Sequence, residues 1–456
     1  MELFSADWVH SQGSFVADAA LLVDRGRVAA IGARQDLEAA HPDARRVHFA
    51  GQALAPGGVS AHSHCFQVLL RGASDHPSSF QDWVERHLYP LVLTLDEEAL
   101  EAAALLCFMD MARAGTTAVG EFHYVHNRQG DFDPQDARLA ELVIGAARKV
   151  GLRVSFLRTI YDQSRREGQR RFQEPWEAAI ARTRALAARY ADDPCVRVLP
   201  APHSLHGASR EAIVASAALA EELDGPFHIH LAEQQDDVSF AKERTGYTPL
   251  FALERWGVLG PRTTLVHGIW LSEPERRLLA ERGGALVTNP TTNMLLGDGI
   301  CPVRELLDAG VPVAVGTDLN ATCNPWLEAR TAEMLQRVER LEMGQISAAD
   351  GGAPRPGRVF DLATRNGARV LGLESGALEP GRWADFVTVD LDDPSLMTAG
   401  GLGGDALVSS FTGSLVAERA VRHVYVGGEP IVRAGEVLGV DRAELAARVR
   451  RVMSRA

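Results

Sequence analysis

Residues Gly58–His64 read GVSAHSH, a run that begins apolar and closes on two imidazoles spaced two apart. Seven more runs of that build follow: Thr116–Tyr124 (TTAVGEFHY), Arg153–Ile160, Val196–His203 (VRVLPAPH), Phe227–Glu233 (FHIHLAE), Thr263–Ile269 (TTLVHGI), Gly284–Asn289 and Val311–Asp318 (VPVAVGTD). Longer segments of helical period separate them, so residues 55–367 alternate strand and helix in the manner of a parallel sheet with crossover helices. Eight such units predict a (β/α)8 TIM barrel. Barrel strands are buried along their bodies, and their C-terminal tips meet the loops that carry chemistry, so polar groups at the tips are the candidates. One intervening helix is legible in detail. After Thr94, read as its cap in a box with Glu97, the residues Leu100, Ala104, Cys107, Phe108 and Met111 recur at helical spacing, which makes Cys107 and Met111 core.

The chain ends have a different character. Ala20–Gly32 (ALLVDRGRVAAIG) alternates around a turn, and the style returns in 376–392 and 421–439 with glycine-rich turns between. Residues 1–54 and 368–456 are therefore expected to combine into a small β-sandwich beside the barrel, followed by an amphipathic helix over Asp441–Arg451. The stretch Gly344–Gly357, rich in glycine, proline and alanine, reads as an exposed excursion.

Composition excludes several classes of function. A formal charge of −13 over 456 residues argues against a polyanion-binding surface, hence against nucleic acid as a partner. The basic residues are nearly all arginine, with Lys149 and Lys242 as the lysines. The five cysteines are scattered without a CxxC pair, which predicts neither a disulfide framework nor a thiolate zinc site and fits a reducing cytoplasm. No stretch approaches the roughly 18 apolar residues of a membrane span, and the first residues lack the build of an export leader. A small molecule is the expected partner.

Five strand tips carry metal-type or acid–base groups: His62 and His64, His203, His230 with Glu233, His267, and Asp318. In a strand, residues two apart share a face, so His62 and His64 point together and Ser63 points away. The motifs GGVSAHSHCFQ, HIHLAE, LVHG and VGTD, in that order, resemble the amidohydrolase superfamily and its deaminase-like members with one zinc or iron ion. The resemblance implies that His62, His64, His230 and Asp318 ligate the metal, that Glu233 shuttles protons, and that His267 holds the attacking water or the substrate; Asp318, helped by His267, takes the proton of that water. It also implies that His228 is a structural neighbour. Binuclear relatives bridge two metals with a lysine on strand four, but here that strand ends in Pro202–His203–Ser204, so a single divalent ion is expected. Zinc is the default for such a ligand set, with iron or manganese as alternatives.

A second layer of resemblance concerns substrate. EFHYVH (Glu121–His126), EGQRRF (Glu167–Phe172), HLAEQ (His230–Gln234) and GDGI (Gly297–Ile300) are similar to the formimidoylglutamate deiminases of histidine degradation, which implies substrate contacts from Gln67, Tyr124 and His203. In that family a carboxylate-clamping arginine follows HSL, where this chain has His206, counted here as a substrate contact. A second arginine is expected where Val84 stands. Arg71, Arg86, Arg170 and Arg171 are the candidates to replace them. By contrast, Asn289–Met294 (NPTTNM) and the segment from Gly316 to Asn324 resemble the ring deaminases of adenosine and guanine type. The leading expectation is thus a formimidoylglutamate deiminase, and the alternative is an aminohydrolase of a purine, pterin or nucleoside-type ring. A non-catalytic barrel that keeps its rim for binding is a third reading, disfavoured because a binder has no need of Glu233. A homodimer is expected, in the cytoplasm that the cysteine usage fits.

Overall fold

The computed structural model describes residues 1–129, 137–164, 166–413 and 418–455. All eight runs become strands: Gly58–Ser63 (β1), Thr116–His123 (β2), Arg153–Ile160 (β3), Val196–Pro202 (β4), Phe227–Leu231 (β5), Thr263–His267 (β6), Ala285–Thr288 (β7) and Val313–Val315 (β8). They pair in parallel as two four-stranded sheets, β1 to β4 and β5 to β8, each in chain order. Continuous ladders do not cross between the halves. At one seam His230 N–H donates to the His203 carbonyl (3.1 Å); at the other Asp318 N–H donates to His62 O and His64 N–H to Asp318 O, both 3.0 Å. The halves therefore touch at the tips that carry the imidazoles. Gly316 is required there, since a Cβ on it would lie 2.6 Å from His62 Cβ.

The two chain ends meet in one nine-stranded mixed sheet, where Arg45–Pro56 pairs antiparallel with Phe386–Asp390. Its hairpin at Arg25–Gly26 has φ of 50° and 77°, the mirror-image turn that suits twisted strands. The edge strand Arg27–Ala33 curls back: Val28 N–H donates to Arg382 O and Gly381 N–H to Val28 O, both 2.9 Å. Phe4, Phe386 and Tyr425 fill the space enclosed, with Phe386 stacked on Tyr425 at 4.5 Å. Strand pairing thus joins both chain ends in one continuous sheet that curls on itself. The sheet is bolted to the parallel strands by Arg153, whose guanidinium grips Asp385 through two bonds (2.9 and 3.0 Å) and lies over Trp383.

Two local expectations are corrected. The helix Glu97–Arg113 is capped by Asp96, which accepts from Ala99 N–H at 2.8 Å, because Thr94 already ends the preceding helix Tyr89–Thr94 and turns its hydroxyl back to Pro90 O. Cys107 and Met111 are fully buried, as that helix's period predicts. Within 344–357, Gln345, Ile346 and Ser347 are buried, their amides donating to the Glu333 carboxylate, and 351–355 are exposed. The final helix spans Arg442–Met453, capped by Asp441. Among the described residues no helix is long and apolar enough to cross a membrane.

Candidate metal centre and active-site cavity

Ala232, His267 and Asp318 adopt φ of 53°, 74° and 46° at the tips of β5, β6 and β8, a conformation that non-glycine residues rarely take and that costs on the order of 1–3 kcal/mol each. These bends turn the chain off each strand and aim the polar side chains inward. His62 Nε2 lies 3.2 Å from both His64 Nε2 and His230 Nε2. Asp318 Oδ1 stands 3.4 Å from His64 Nε2 and 3.7 Å from His62 Nε2.

The hydrogen bonds of the outer ring nitrogens decide what the inner ones are. His64 Nδ1 is 2.8 Å from Phe122 O and His230 Nδ1 is 2.9 Å from His203 O, and a carbonyl only accepts, so both Nδ1 atoms carry the proton. Their Nε2 lone pairs then converge on one another. Burial holds His62 and His230 well below the usual imidazole range and His64 at about 3, which keeps them neutral. Asp318 Oδ2 has no hydrogen-bond partner, and burial pushes that carboxyl up to about 7. Three imidazole nitrogens within reach of one another, two of them with lone pairs turned inward, fit a divalent cation, and with the adjacent Asp318 carboxyl they are the donors that would hold it.

Acid–base groups flank this cluster. His267 Nε2 sits 3.5 Å from Glu233 Oε1 and 3.7 Å from Asp318 Oδ2, with Nδ1 3.2 Å from Asn293 Oδ1. Burial, then the charge of Asp237, raises Glu233 above the usual carboxylate range. Asp237 accepts from the amides of Glu233 (3.1 Å) and Gln234 (3.0 Å), fixing the turn that presents Glu233. Behind His62 and His64, Glu121 accepts from Ser63 Oγ (2.8 Å) and Cys65 N–H (2.9 Å).

The groups open onto a cavity of about 380 Å³. Gln67, Tyr124, His203 and His206, the expected substrate contacts, all line it. Gln67 Nε2 donates to Tyr124 Oη at 2.6 Å, the His203 ring lies 4.9 Å from that of His230, and His206 faces Asp237 at 3.5 Å. His228 is a buried neighbour whose Nε2 donates to Val370 O. The rest of the wall combines six aromatic rings, Phe80, Trp83, Tyr89, Tyr161, Phe172 and Phe240, with aliphatic side chains such as Val84, Leu88, Leu296 and Leu319 and polar ones such as Gln81, Gln163, Gln169 and Asp236.

The candidate clamp arginines do not reach the substrate space. Arg71 is spent on Asp110, Asn320 O and Cys323, and Arg86 on Asp82 at the surface. Arg171 is buried, donating to the carbonyls of Asn127, Val92 and Leu95 at 2.7 to 2.8 Å. Among the described residues lining the cavity, the arginine is Arg166, and it pairs with Glu85. Sequence reasoning missed Asp237, Asn293 and Asp298, and the aromatic rings of the wall beyond Tyr124. Asp298 lay inside the GDGI motif, where its type and place on a loop were the available signal.

The profile of the amidohydrolase family matches residues 53–431, and that of a bacterial imidazolonepropionase-like composite domain matches 19–44. A 5-methylthioadenosine/S-adenosylhomocysteine deaminase of Nitratidesulfovibrio vulgaris (Miyazaki F) is 32% identical over 447 residues, 96% of this chain and 92% of its own length. A 5'-deoxyadenosine deaminase of Methanothermobacter thermautotrophicus is 33% identical over 349 residues, 76% of this chain and 75% of its own. The crystal structure of a zinc-bound adenosine deaminase from Xanthomonas campestris superposes with a TM-score of 0.85 at 26% identity, covering 99% of this chain and 98% of its own. These relatives side with the NPTTNM and GTD signature. They do not support the expectation of a formimidoylglutamate deiminase or of a place in histidine degradation.

Proposed function

Since the chain belongs to the amidohydrolase family and is a hydrolase of carbon–nitrogen bonds with one divalent ion, we propose that it deaminates an amino-substituted purine of nucleoside type. One observation carries this reading over the formimino one: the cavity wall presents several aromatic rings, and its arginine is already paired. A dicarboxylate needs free guanidinium groups, whereas a flat neutral ring needs π-faces and hydrogen-bonding tips such as Gln67, His203 and His206.

When bound, a divalent cation would supply Lewis acidity that makes a water deprotonatable near neutral pH, with zinc the ion found in the Xanthomonas relative. We read His62, His64, His230 and Asp318 as its ligands. The chain's own groups then divide the proton work. Asp318 takes the proton of the attacking water at its unpartnered Oδ2, and His267 Nε2, between Glu233 and Asp318, holds that water in line with the ring carbon. Glu233, kept protonated by burial, delivers a proton to the substrate nitrogen; addition of water to the carbon followed by cleavage of its bond to the amino nitrogen releases ammonia. His203 and Tyr124 orient the ring over this position.

For the architecture, we read 55–367 as a catalytic (β/α)8 barrel closed at its two seams, and 1–54 with 368–456 as a composite domain whose rolled sheet serves as the sandwich, in a homodimer. The test is ammonia release from adenosine, 5'-deoxyadenosine, 5'-methylthioadenosine, S-adenosylhomocysteine and guanine against formiminoglutamate. Turnover confined to formiminoglutamate would reject the ring reading.

A further inference from the structure

Beside the metal cluster lies a second convergence of ligand-type atoms that the proposed chemistry leaves partly unexplained. Glu233, His267 and Asp298 each place one such atom within 4.8 Å of the others. Asp298 stands on the loop after the short helix Pro290–Leu296, its backbone tied down by Asp298 N–H to Asn293 O (3.0 Å) and by Trp270 Nε1 to Asp298 O (3.2 Å). It is 2% exposed; Oδ1 accepts from Gln234 Nε2, but the buried Oδ2 has no partner. His267 Nε2 faces Glu233 Oε1 at 3.5 Å, and its Nδ1 lies between Asn293 Oδ1 (3.2 Å) and Asn289 Nδ2 (3.4 Å), so the tautomer protonated at Nδ1 turns the Nε2 lone pair toward Glu233. Two carboxyl groups and an imidazole thus converge on one point, with Asp298 Oδ2 left without a partner there.

Desolvated acceptors in that arrangement are costly unless a cation or proton lies among them. Nitrogen and carboxylate oxygen donors in a small set suit zinc or another borderline divalent ion. We propose that Glu233, His267 and Asp298 form a second divalent-cation site, weaker than the first and occupied at excess metal. Its geometry is separate from the first: it shares no ligand with His62, His64, His230 and Asp318. Resting on the proton-shuttle reading of Glu233, the consequence is inhibition, because an ion there displaces the proton that Glu233 delivers and occupies the His267 nitrogen that holds the water.

The experiment counts metal first and turnover second. Full-length protein carrying one zinc per chain is dialysed against rising free zinc and its bound zinc is measured, with the same titration on Asp298→Asn and Glu233→Gln. Crystals soaked at high zinc are examined for anomalous scattering. The expected result is a rise from one to two ions per chain in the wild type, with the second ion between the three side chains and its affinity lowered about tenfold or more in either variant. Asp298→Asn that has lost the first ion as well is set aside as misfolded, and Glu233→Gln then decides. A wild type that stays at one ion, a second ion with undiminished affinity in the variants, or anomalous density elsewhere would overturn the proposal. In the turnover arm, excess zinc slows the wild type on an adenosine-type substrate, and full activity with the second site filled overturns the inhibitory part. Absence of turnover on every ring compound counts against the proposed substrate class alone, because the metal count does not depend on it.

Discussion

Two buried clusters of charge occupy opposite ends of the parallel strands, and they are built in opposite ways. At the N-terminal end, Arg153 and Asp385 answer each other through two hydrogen bonds, Asp385 also accepts from Gly427 N–H, and Trp383 covers the guanidinium. At the C-terminal tips, imidazoles and carboxylates face one another as acceptors, with Asp318 Oδ2, Asp298 Oδ2 and His62 Nδ1 left without partners and three backbones strained. The first cluster satisfies its own members, and so it holds two parts of the chain together. The second satisfies its members only with something from outside, which is what a site for metal and substrate requires.

The largest effect should come from the unsatisfied end. Glu233→Gln is expected to lower turnover by about 10² to 10⁴-fold while zinc content stays at one per chain; near-normal activity in that variant would break the contrast at its centre. Removing the metal with a chelator, or replacing His230 with Ala, should abolish turnover, and zinc should restore activity to the chelated protein but not to the variant. The satisfied end should answer in stability instead. Asp385→Ala leaves Arg153 buried without its partner and is expected to cost about 3–5 kcal/mol in urea unfolding. Refolded protein below that transition should still bind one zinc, and an unchanged midpoint would show the junction to be dispensable.

Arg171 tests the ground between the two ends. It holds the carbonyls of three segments behind the cavity wall and sits next to Phe172, so Arg171→Met should cost about 1–3 kcal/mol and raise KM more than it lowers kcat. A loss confined to kcat would argue that it acts on the chemistry and not on the wall. The smallest effect belongs to the surface. Glu273→Ala removes an exposed pair with Arg277 and should shift stability by no more than about 0.5 kcal/mol, measured by the same unfolding curve.

Much of this was legible from residue types alone, and the reasons are local. A strand's period of two puts His62 and His64 on one face whatever surrounds them, and the apolar run before each polar tip marks its end of the sheet. The hairpins at Arg25–Gly26 and Gly427–Gly428 were equally readable, because positive φ at their central positions favours the glycines found there. The cap of Glu97–Arg113 was misplaced because Thr94 and Asp96 are both acceptable caps in isolation, and only the helix ending at Thr94 chooses between them. The exposed reading of 344–357 failed for a similar reason, since nothing nearby in the chain announces that Glu333 will collect three of its amides.

By itself the amino-acid sequence determined the alternation of strand and helix, the imidazoles and carboxylates at the tips, and the acidic net charge, because these follow from periodicity, residue chemistry and composition. The tertiary structure alone decided that the arginines near the cavity are engaged elsewhere, that aromatic rings gather on its wall, and that Asp298 joins Glu233 and His267. Whether a charged side chain is free for a ligand depends on partners brought from distant parts of the chain, and burial sets how much an unmade bond costs, so neither can be read before the chain has closed on itself.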